Sequence, residues 1–303
     1  LSFGRLAARA RAYARWALDQ GVQVGERVAL VLPNRPEYVA AWLGITRVGG
    51  VAALVNTHLR GPALAHCLAA ASPQQVIVDA TLLDRLSSEV LAAVPGAAVW
   101  SHGDNDRGLP DLGRIIDATE GRSTSTPAHA RIGDPALLIY TSGTTGLPKA
   151  AIVSHFRVMQ WSYWFAGLAD MQPDDRMYDC LPLYHSVGGV VAIGATLVAG
   201  GGVVIRDGFS ASAFWKDIRR WECTTFQYIG ELCRYLLHGS SPEQARGHRL
   251  RLACGNGLGA DIYSAFRDRF AIPRILEFYA ATEGTVSLFN VDGQPGSIGR
   301  VPP

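Results

Sequence analysis

The sequence has few features of secreted, metal-binding or nucleic-acid-binding proteins. Its five cysteines are odd in number, scattered and without a C-x-x-C spacing. They therefore indicate buried thiols in a reducing compartment, and metal binding is the weaker alternative. A net charge of +2 gives no electrostatic reason to bind nucleic acid. With 18% charged and 48% hydrophobic residues, the composition argues against a disordered chain. A length of 303 residues exceeds the usual size of one hydrophobic core, so more than one lobe is expected.

No signal peptide is visible at the N-terminus. One run, residues 187–205, carries no charge and is about long enough to cross a bilayer. The triplet Gly200-Gly201-Gly202 would break a helix there, so we predict a buried helix, a glycine turn and a buried strand at 203–205. The sequence starts without Met in a helical pattern, which leaves preceding residues and a membrane anchor open.

Segments of strand and helix length alternate along most of the chain. This alternation predicts the α/β class, with mostly parallel sheets flanked by helices. A polar stretch between His102 and Asp134 indicates a connection, so we predict a first lobe at 1–127 and a second at 128–303. One helix is expected to run through Leu82, Leu86 and Leu91. The arginines of the first helix are expected to form its solvated face: Arg5, Arg9, Arg11 and Arg15.

One polar stretch, TSGTTGLPK at 141–149, lies between two apolar segments that we predict to be buried strands. Its glycines let backbone N–H groups turn toward one anion, while hydroxyls and a lysine add donors and positive charge. The stretch does not match the Walker loop of NTPases, because Pro148 stands where that loop has its second glycine and Ala150 where it has a hydroxyl residue. An ordinary surface loop is the weaker alternative. The candidate phosphate-binding residues are Thr141, Ser142, Gly143, Thr144, Thr145, Gly146 and Lys149.

Three further segments follow predicted strands, at the sheet edge where open α/β proteins bind ligands. His185 in LPLYHS is, on the residues alone, more typical of a structural histidine. Gly255, Asn256 and Gly257 would allow close approach of a flat ring, although an ordinary turn explains them equally well.

The third segment, FYAATEG at 278–284, is more specific. Tyr279 could stack on adenine, the Thr282 hydroxyl could meet a phosphate, and Glu283 could hold Mg²⁺ against phosphate oxygens. A solvated turn carboxylate is the weaker interpretation of Glu283.

These motifs resemble those of the adenylate-forming enzymes, the superfamily of acyl-CoA synthetases, luciferases and peptide-synthetase adenylation domains. Several longer segments are similar to one branch, the very-long-chain acyl-CoA synthetases, also called fatty acid transport proteins. The resemblance spans nearly the whole chain. Its segments are 56–61, 179–186, 226–237, 255–258 and 275–279.

The resemblance implies ATP-dependent activation of a long- or very-long-chain fatty acid to acyl-AMP and then acyl-CoA, with ATP, Mg²⁺ and CoA. It implies catalytic roles for Lys149, Thr282 and Glu283, and Mg²⁺ binding by Thr145 and Glu283. The nucleotide would contact the 141–146 loop, Gly255, Asn256, Gly257, Tyr279 and Thr282; the acid would contact Tyr184 and His185. Most relatives have Gly where this chain has Ala280, and the added methyl could crowd the nucleotide.

The family continues past the position of Arg300 with a ribose-binding Asp, a hinge and a small C-terminal domain that carries a catalytic lysine. The resemblance therefore implies about half of an enzyme, weakly active or inactive alone. One alternative is a nucleotide- and acyl-binding module without efficient turnover; another is adenylation of an aromatic or amino acid. The implied location is the cytoplasm or the cytoplasmic side of a membrane, with peripheral contact left open.

Overall fold

A computed structural model describes residues 1–122, 130–141, 146–284 and 286–301. The chain divides into two compact units. The first comprises Leu1–Val158 with Leu183–His185, and the second comprises Met159–Pro182 with the chain from Ser186 onwards. This division falls later than the predicted boundary at 127–128, because the two strands that flank the 142–148 connection pair into the first sheet.

The first unit contains a six-stranded sheet in the order β4-β3-β1-β2-β5-β6. All neighbours pair in parallel except β5 and β6, which are antiparallel. The strands are β1 (Arg27–Val31), β2 (Val51–Leu54), β3 (Gln75–Asp79), β4 (Ala98–His102), β5 (Pro135–Thr141) and β6 (Lys149–Ser154). The helices are α1 (Phe3–Asp19), α2 (Pro36–Arg47), α3 (Gly61–Ala71), α4 (Ser88–Ala92) and α5 (Leu112–Thr119).

The central strands of this sheet are buried on both faces and largely apolar. After Arg27, every residue of β1, β2 and β3 is buried. Parallel strands covered by helices on both sides require such continuous apolar runs. The predicted class, α/β with mostly parallel sheets, is confirmed.

Two local expectations for the first unit were wrong. The helix through Leu82 and Leu91 is divided into a 3₁₀ segment at Ala80–Arg85 and α4, because the Ser87 side chain caps the start of α4 by accepting the Val90 N–H. Arg9 is 8% exposed rather than solvated, since it lies between helices and pairs with Asp117 at 2.8 Å and Glu120 at 3.1 Å.

The second unit contains another six-stranded sheet, in the order β12-β11-β10-β9-β7-β8. Only β12 is antiparallel to its neighbour. The strands are β7 (Arg176–Asp179), β8 (Gly202–Ile205), β9 (Thr225–Ile229), β10 (Leu252–Asn256), β11 (Arg274–Ala280) and β12 (Ser287–Asn290). The helices are α7 (Ile193–Val198), α8 (Ala211–Arg220), α9 (Gly230–Gly239), α10 (Pro242–Ala245) and α11 (Ala260–Phe270), and α6 (His155–Leu168) continues into this unit from the first.

The long apolar run folds as helix, turn and strand, as predicted. A π-helical stretch at Ser186–Ala192 leads into α7, and the chain turns at Gly200, whose φ of +81° is the left-handed conformation that glycine adopts readily. The strand β8 lies at the sheet edge and is half-buried rather than buried. None of the described helices is both long enough and apolar enough to span a membrane.

Candidate active site

The predicted phosphate loop connects the last two strands of the first sheet. β5 ends at Thr141 and β6 begins at Lys149, and these two residues face each other in the antiparallel pair. The other loop candidates Ser142, Gly143, Thr144 and Thr145 lie outside the described residues, so their phosphate contacts stay a prediction. β6 is an edge strand with alternating exposure rather than the second buried strand that was expected.

The C-terminal arm of this loop is held against α3. Gly146 has a φ of +109°, and the carbonyl oxygen of Pro148 accepts a hydrogen bond of 2.9 Å from His66 Nε2. Lys149, which follows directly, is exposed. Only two of the 28 basic residues in the sequence are lysines, and Lys149 is one of them. The strand start thus places a single mobile cation beside the loop.

The predicted acid-contacting residues Tyr184 and His185 belong to the first unit. The backbone N–H of Leu183 donates to Asn34 Oδ1 at 2.9 Å, which anchors this short segment. Tyr184 is 7% exposed, whereas His185 is exposed, and their ring centroids lie 4.7 Å apart. Desolvation by the surrounding protein lowers the pKa of His185, so the imidazole is neutral at pH 7. Their contact with an acid stays a prediction.

The predicted adenine segment is the turn after β10. β10 ends at Asn256, and Gly257 follows with a φ of +82°. A Cβ atom on Gly230 would lie 1.8 Å from the Gly257 carbonyl oxygen, so the turn packs directly onto the start of α9. Asn256 Oδ1 is buried and accepts no hydrogen bond from the described residues. This oxygen is therefore a candidate acceptor for a ligand N–H group.

A buried carboxylate supports that turn, and the motifs do not predict it. Glu277, on β11, is 3% exposed. It accepts hydrogen bonds from the Tyr228 hydroxyl and, at 2.9 Å, from the backbone N–H of Leu258. Desolvation raises the pKa of Glu277, and these donors oppose the rise. An acidic residue between apolar neighbours in ILEF at 275–278 is the sequence signal that marks it.

The end of β11 brings the remaining nucleotide candidates together. Tyr279 is 56% exposed, so one aromatic face is free to stack. Glu283 is also exposed and lies in the turn that the Gly284 N–H closes onto the Ala281 carbonyl at 2.9 Å. The Thr282 hydroxyl lies 3.3 Å from the Ser186 hydroxyl. A ring, two hydroxyls and a carboxylate are thus grouped at one strand end.

A pocket opens beside this group within the second unit. It is a small cavity of about 30 Å³, formed by α6, the π-helical stretch and the end of β11. Phe165 and Phe278 meet edge to face in its wall, with ring centroids 4.7 Å apart. Among the described residues, no charged side chain lines it. Its lining residues are Trp161, Phe165, Ser186, Val187, Val191, Phe278, Ala280, Ala281 and Ser287.

The sequence matches the AMP-binding enzyme family over residues 1–303. The chain belongs to the AMP-binding enzymes. Long-chain fatty acid transport protein 1 of Homo sapiens is 41% identical over 98% of the chain, and long-chain fatty acid transport protein 6 of Mus musculus is 39% identical over 91%. The matches cover 47% and 45% of those proteins, so the chain spans about half the length of the curated relatives it matches.

Solved structures of AMP-binding enzymes share the fold. ATP-bound MatB from Rhodopseudomonas palustris superposes with a TM-score of 0.87 and 27% identity, covering the whole chain and 59% of MatB. The anthranilate CoA ligase AuaEII, in complex with anthranoyl-AMP, gives a TM-score of 0.90 at 22% identity over 99% of the chain and 59% of that protein. The predicted resemblance and fold are confirmed.

The described part of this AMP-binding enzyme contains no group of three or more metal-ligating side chains. Glu283 offers one exposed carboxylate at the end of β11. Mg²⁺ is commonly held by one or two carboxylates together with substrate phosphates, rather than in an all-protein cage. Glu283 therefore fits an ion that arrives with a nucleotide, whereas Thr145, the other predicted ligand, lies outside the described residues.

Proposed function

We propose that this chain forms the nucleotide- and acid-binding part of a ligase that converts a long- or very-long-chain fatty acid into acyl-AMP with ATP, and then into acyl-CoA. One observation carries the proposal: an apolar pocket adjoins the hydroxyl of Thr282. Ser186 lines the pocket, and its hydroxyl lies 3.3 Å from that of Thr282. An acid whose apolar chain enters this pocket would hold its carboxyl group beside the proposed phosphate contact.

The lining of the pocket favours an apolar acid over an amino acid. Among its described lining residues, the hydroxyl groups come from two serines, Ser186 and Ser287, and none is charged. The ammonium group of an amino acid would lose its hydration without gaining a charged partner, which is costly in a desolvated pocket. A hydrocarbon tail gains free energy there in proportion to the apolar area it buries. The relatedness to fatty acid transport proteins supports the same substrate class.

The nucleotide would be bound by the groups at two neighbouring strand ends of the second unit. We assign adenine to the exposed ring of Tyr279 and to the turn at Asn256 and Gly257. We assign the α-phosphate to Thr282, and a phosphate-bound Mg²⁺ to Glu283. The ATP bound by MatB, a structural neighbour, supports ATP as the nucleotide.

The chemical difficulty is that the two reactants, a carboxylate and a phosphate, are both anionic. The Thr282 hydroxyl would donate a hydrogen bond to the α-phosphate oxygen on which negative charge develops. Glu283 would hold Mg²⁺ close to the phosphates, and the ion would offset their charge. Lys149 and the backbone donors of the 141–146 loop would add positive potential. Catalysis then consists of positioning and charge compensation, without a covalent enzyme nucleophile. The acid contacts of Tyr184 and His185, which belong to the first unit, stay predictions from the family resemblance.

Because the chain spans about half of its relatives, efficient turnover belongs to the longer protein. The 303 residues alone would bind Mg·ATP and a fatty acid and form acyl-AMP slowly. A palmitate-dependent exchange of radiolabelled pyrophosphate into ATP tests this, with the chain alone and with the chain joined to the C-terminal part of a fatty acid transport protein. We expect exchange that the extension raises strongly. Equal rates would contradict a role for the extension, and exchange that palmitate does not stimulate would contradict the substrate class.

A further inference from the structure

Three side-by-side strands place a buried carboxylate under the proposed adenine turn. Gly255 on β10 is in register with Tyr228 on β9 and with Glu277 on β11. Gly255 has no side chain to separate them: a Cβ there would lie 2.5 Å from Tyr228 Cδ2. The Tyr228 ring therefore passes over Gly255, and its hydroxyl donates to Glu277 Oε2.

The second oxygen of the same carboxylate holds the turn itself. Glu277 Oε1 accepts the backbone N–H of Leu258 at 2.9 Å. Leu258 is 5% exposed, so water cannot replace this acceptor. The Glu277 side chain thus connects Leu258 in the turn to Tyr228 on β9, while Glu277 itself is part of β11.

Glu277 is not explained by an ion pair. No salt bridge among the described residues involves it, although it is 3% exposed. An apolar side chain would pack at this position without the desolvation that a carboxyl group suffers. What an apolar side chain could not do is accept hydrogen bonds from a tyrosine on one strand and a backbone N–H in the turn.

We propose that Glu277 is a positioning residue for nucleotide binding: it fixes the turn at Asn256–Leu258 so that the buried oxygen of Asn256 faces the adenine. The inference rests on the proposed function, which assigns the nucleotide to this turn. Glu277 acts through the turn and does not itself touch the nucleotide. Its loss weakens nucleotide binding and leaves acid binding, which belongs to the pocket, unaffected.

Two substitutions separate this role from general stability. Glu277→Met keeps the length of the side chain and removes both acceptors. Glu277→Gln keeps an oxygen for the Leu258 N–H, and the Tyr228 hydroxyl can rotate to accept from the amide. We expect Glu277→Met to raise the Kd for Mg·ATP about tenfold, because a buried donor in the turn loses its acceptor. Glu277→Gln is expected to stay within about threefold of the unsubstituted chain.

Isothermal titration calorimetry of the 303-residue chain with Mg·ATP, and separately with palmitate, measures both sites. A loss of ATP affinity confined to Glu277→Met, with palmitate affinity within about twofold, supports the inference. Equal ATP affinity in the Met variant, or equal loss of ATP and palmitate affinity, overturns it. If Glu277→Met does not fold, Tyr228→Phe decides: a selective rise in the ATP Kd supports the inference and an unchanged Kd overturns it. Failure of the unsubstituted chain to bind Mg·ATP overturns the proposed nucleotide site as well.

Discussion

Replacing Thr282 by Val removes one hydroxyl at the end of β11 and leaves the β-branched shape of the side chain unchanged. The hydroxyl is half-buried and lies 3.3 Å from the Ser186 hydroxyl. If it also donates to the α-phosphate, Thr282→Val weakens Mg·ATP binding far more than it weakens the fold.

The two effects differ in size. A neutral hydrogen bond contributes about 0.5–1.5 kcal/mol to stability, and a bond as long as 3.3 Å belongs at the lower end. A hydrogen bond to a charged phosphate is worth about 1.5–3 kcal/mol. The expected increase in the Kd for Mg·ATP is therefore about 10- to 150-fold.

Ser186→Ala is the matched control. It removes the same contact between the two hydroxyls but leaves the Thr282 hydroxyl in place. We expect both variants to lose similar thermal stability, and only Thr282→Val to lose nucleotide affinity, as measured by calorimetric titration. Equal losses of affinity in both variants would show that the hydroxyl acts only through the fold. Unchanged affinity in Thr282→Val would refute the phosphate contact.

Three further predictions concern the carboxylate, the pocket and a buried acid. Glu283→Gln in the C-terminally extended protein should reduce pyrophosphate exchange more than Lys149→Ala, because the loop's backbone donors survive the lysine change; a reversed order would contradict the assignment of Mg²⁺ to Glu283. Ala281→Leu adds a branched side chain to the pocket lining and should raise the Kd for palmitate about tenfold or more with Mg·ATP affinity unchanged, and an equal effect on both ligands would argue against an acid pocket. Burial raises the pKa of Asp179 well above its usual value. Between about pH 4 and that raised pKa, the folded state therefore keeps a proton that the unfolded state has lost. The free energy of unfolding then falls by up to about 1.4 kcal/mol per pH unit as pH rises. Asp179→Asn should flatten this slope in urea unfolding between pH 5 and about 8, and parallel slopes would contradict it.

The order of strands and helices follows from the sequence because apolar runs of distinct length alternate with glycine and polar breaks. The run at 187–205 shows this: its glycines at 200–202 separate a helix from a strand in the structure as they do in the pattern. The edge position of β6 does not follow from composition. It depends on strand pairing between residues distant in the chain, and the half-apolar pattern of KAAIVS is compatible with either place.

Long-range partners also decide the fate of single charged residues. Asp175 is buried and ion-paired with Arg251, 76 residues later in the chain. Arg9 is buried against Asp117 and Glu120, more than 100 residues away, and Glu277 accepts hydrogen bonds from Tyr228 and Leu258. The neighbours of a residue in the chain do not indicate such distant partners. Motif residues such as Tyr279 and Thr282 lie close together at the end of one strand, so their proximity can be predicted from the sequence.

The pocket beside Thr282 is proposed to select an apolar acid for activation. The most direct measurement offers the C-terminally extended protein an equimolar mixture of palmitate, benzoate and leucine with Mg·ATP, and identifies the adenylates by mass spectrometry. Palmitoyl-AMP is expected as the main product, because the described lining is uncharged and gives an ammonium group no partner, and because the chain is related to long-chain fatty acid transport proteins. An excess of benzoyl-AMP or leucyl-AMP, or the absence of palmitoyl-AMP, would contradict it.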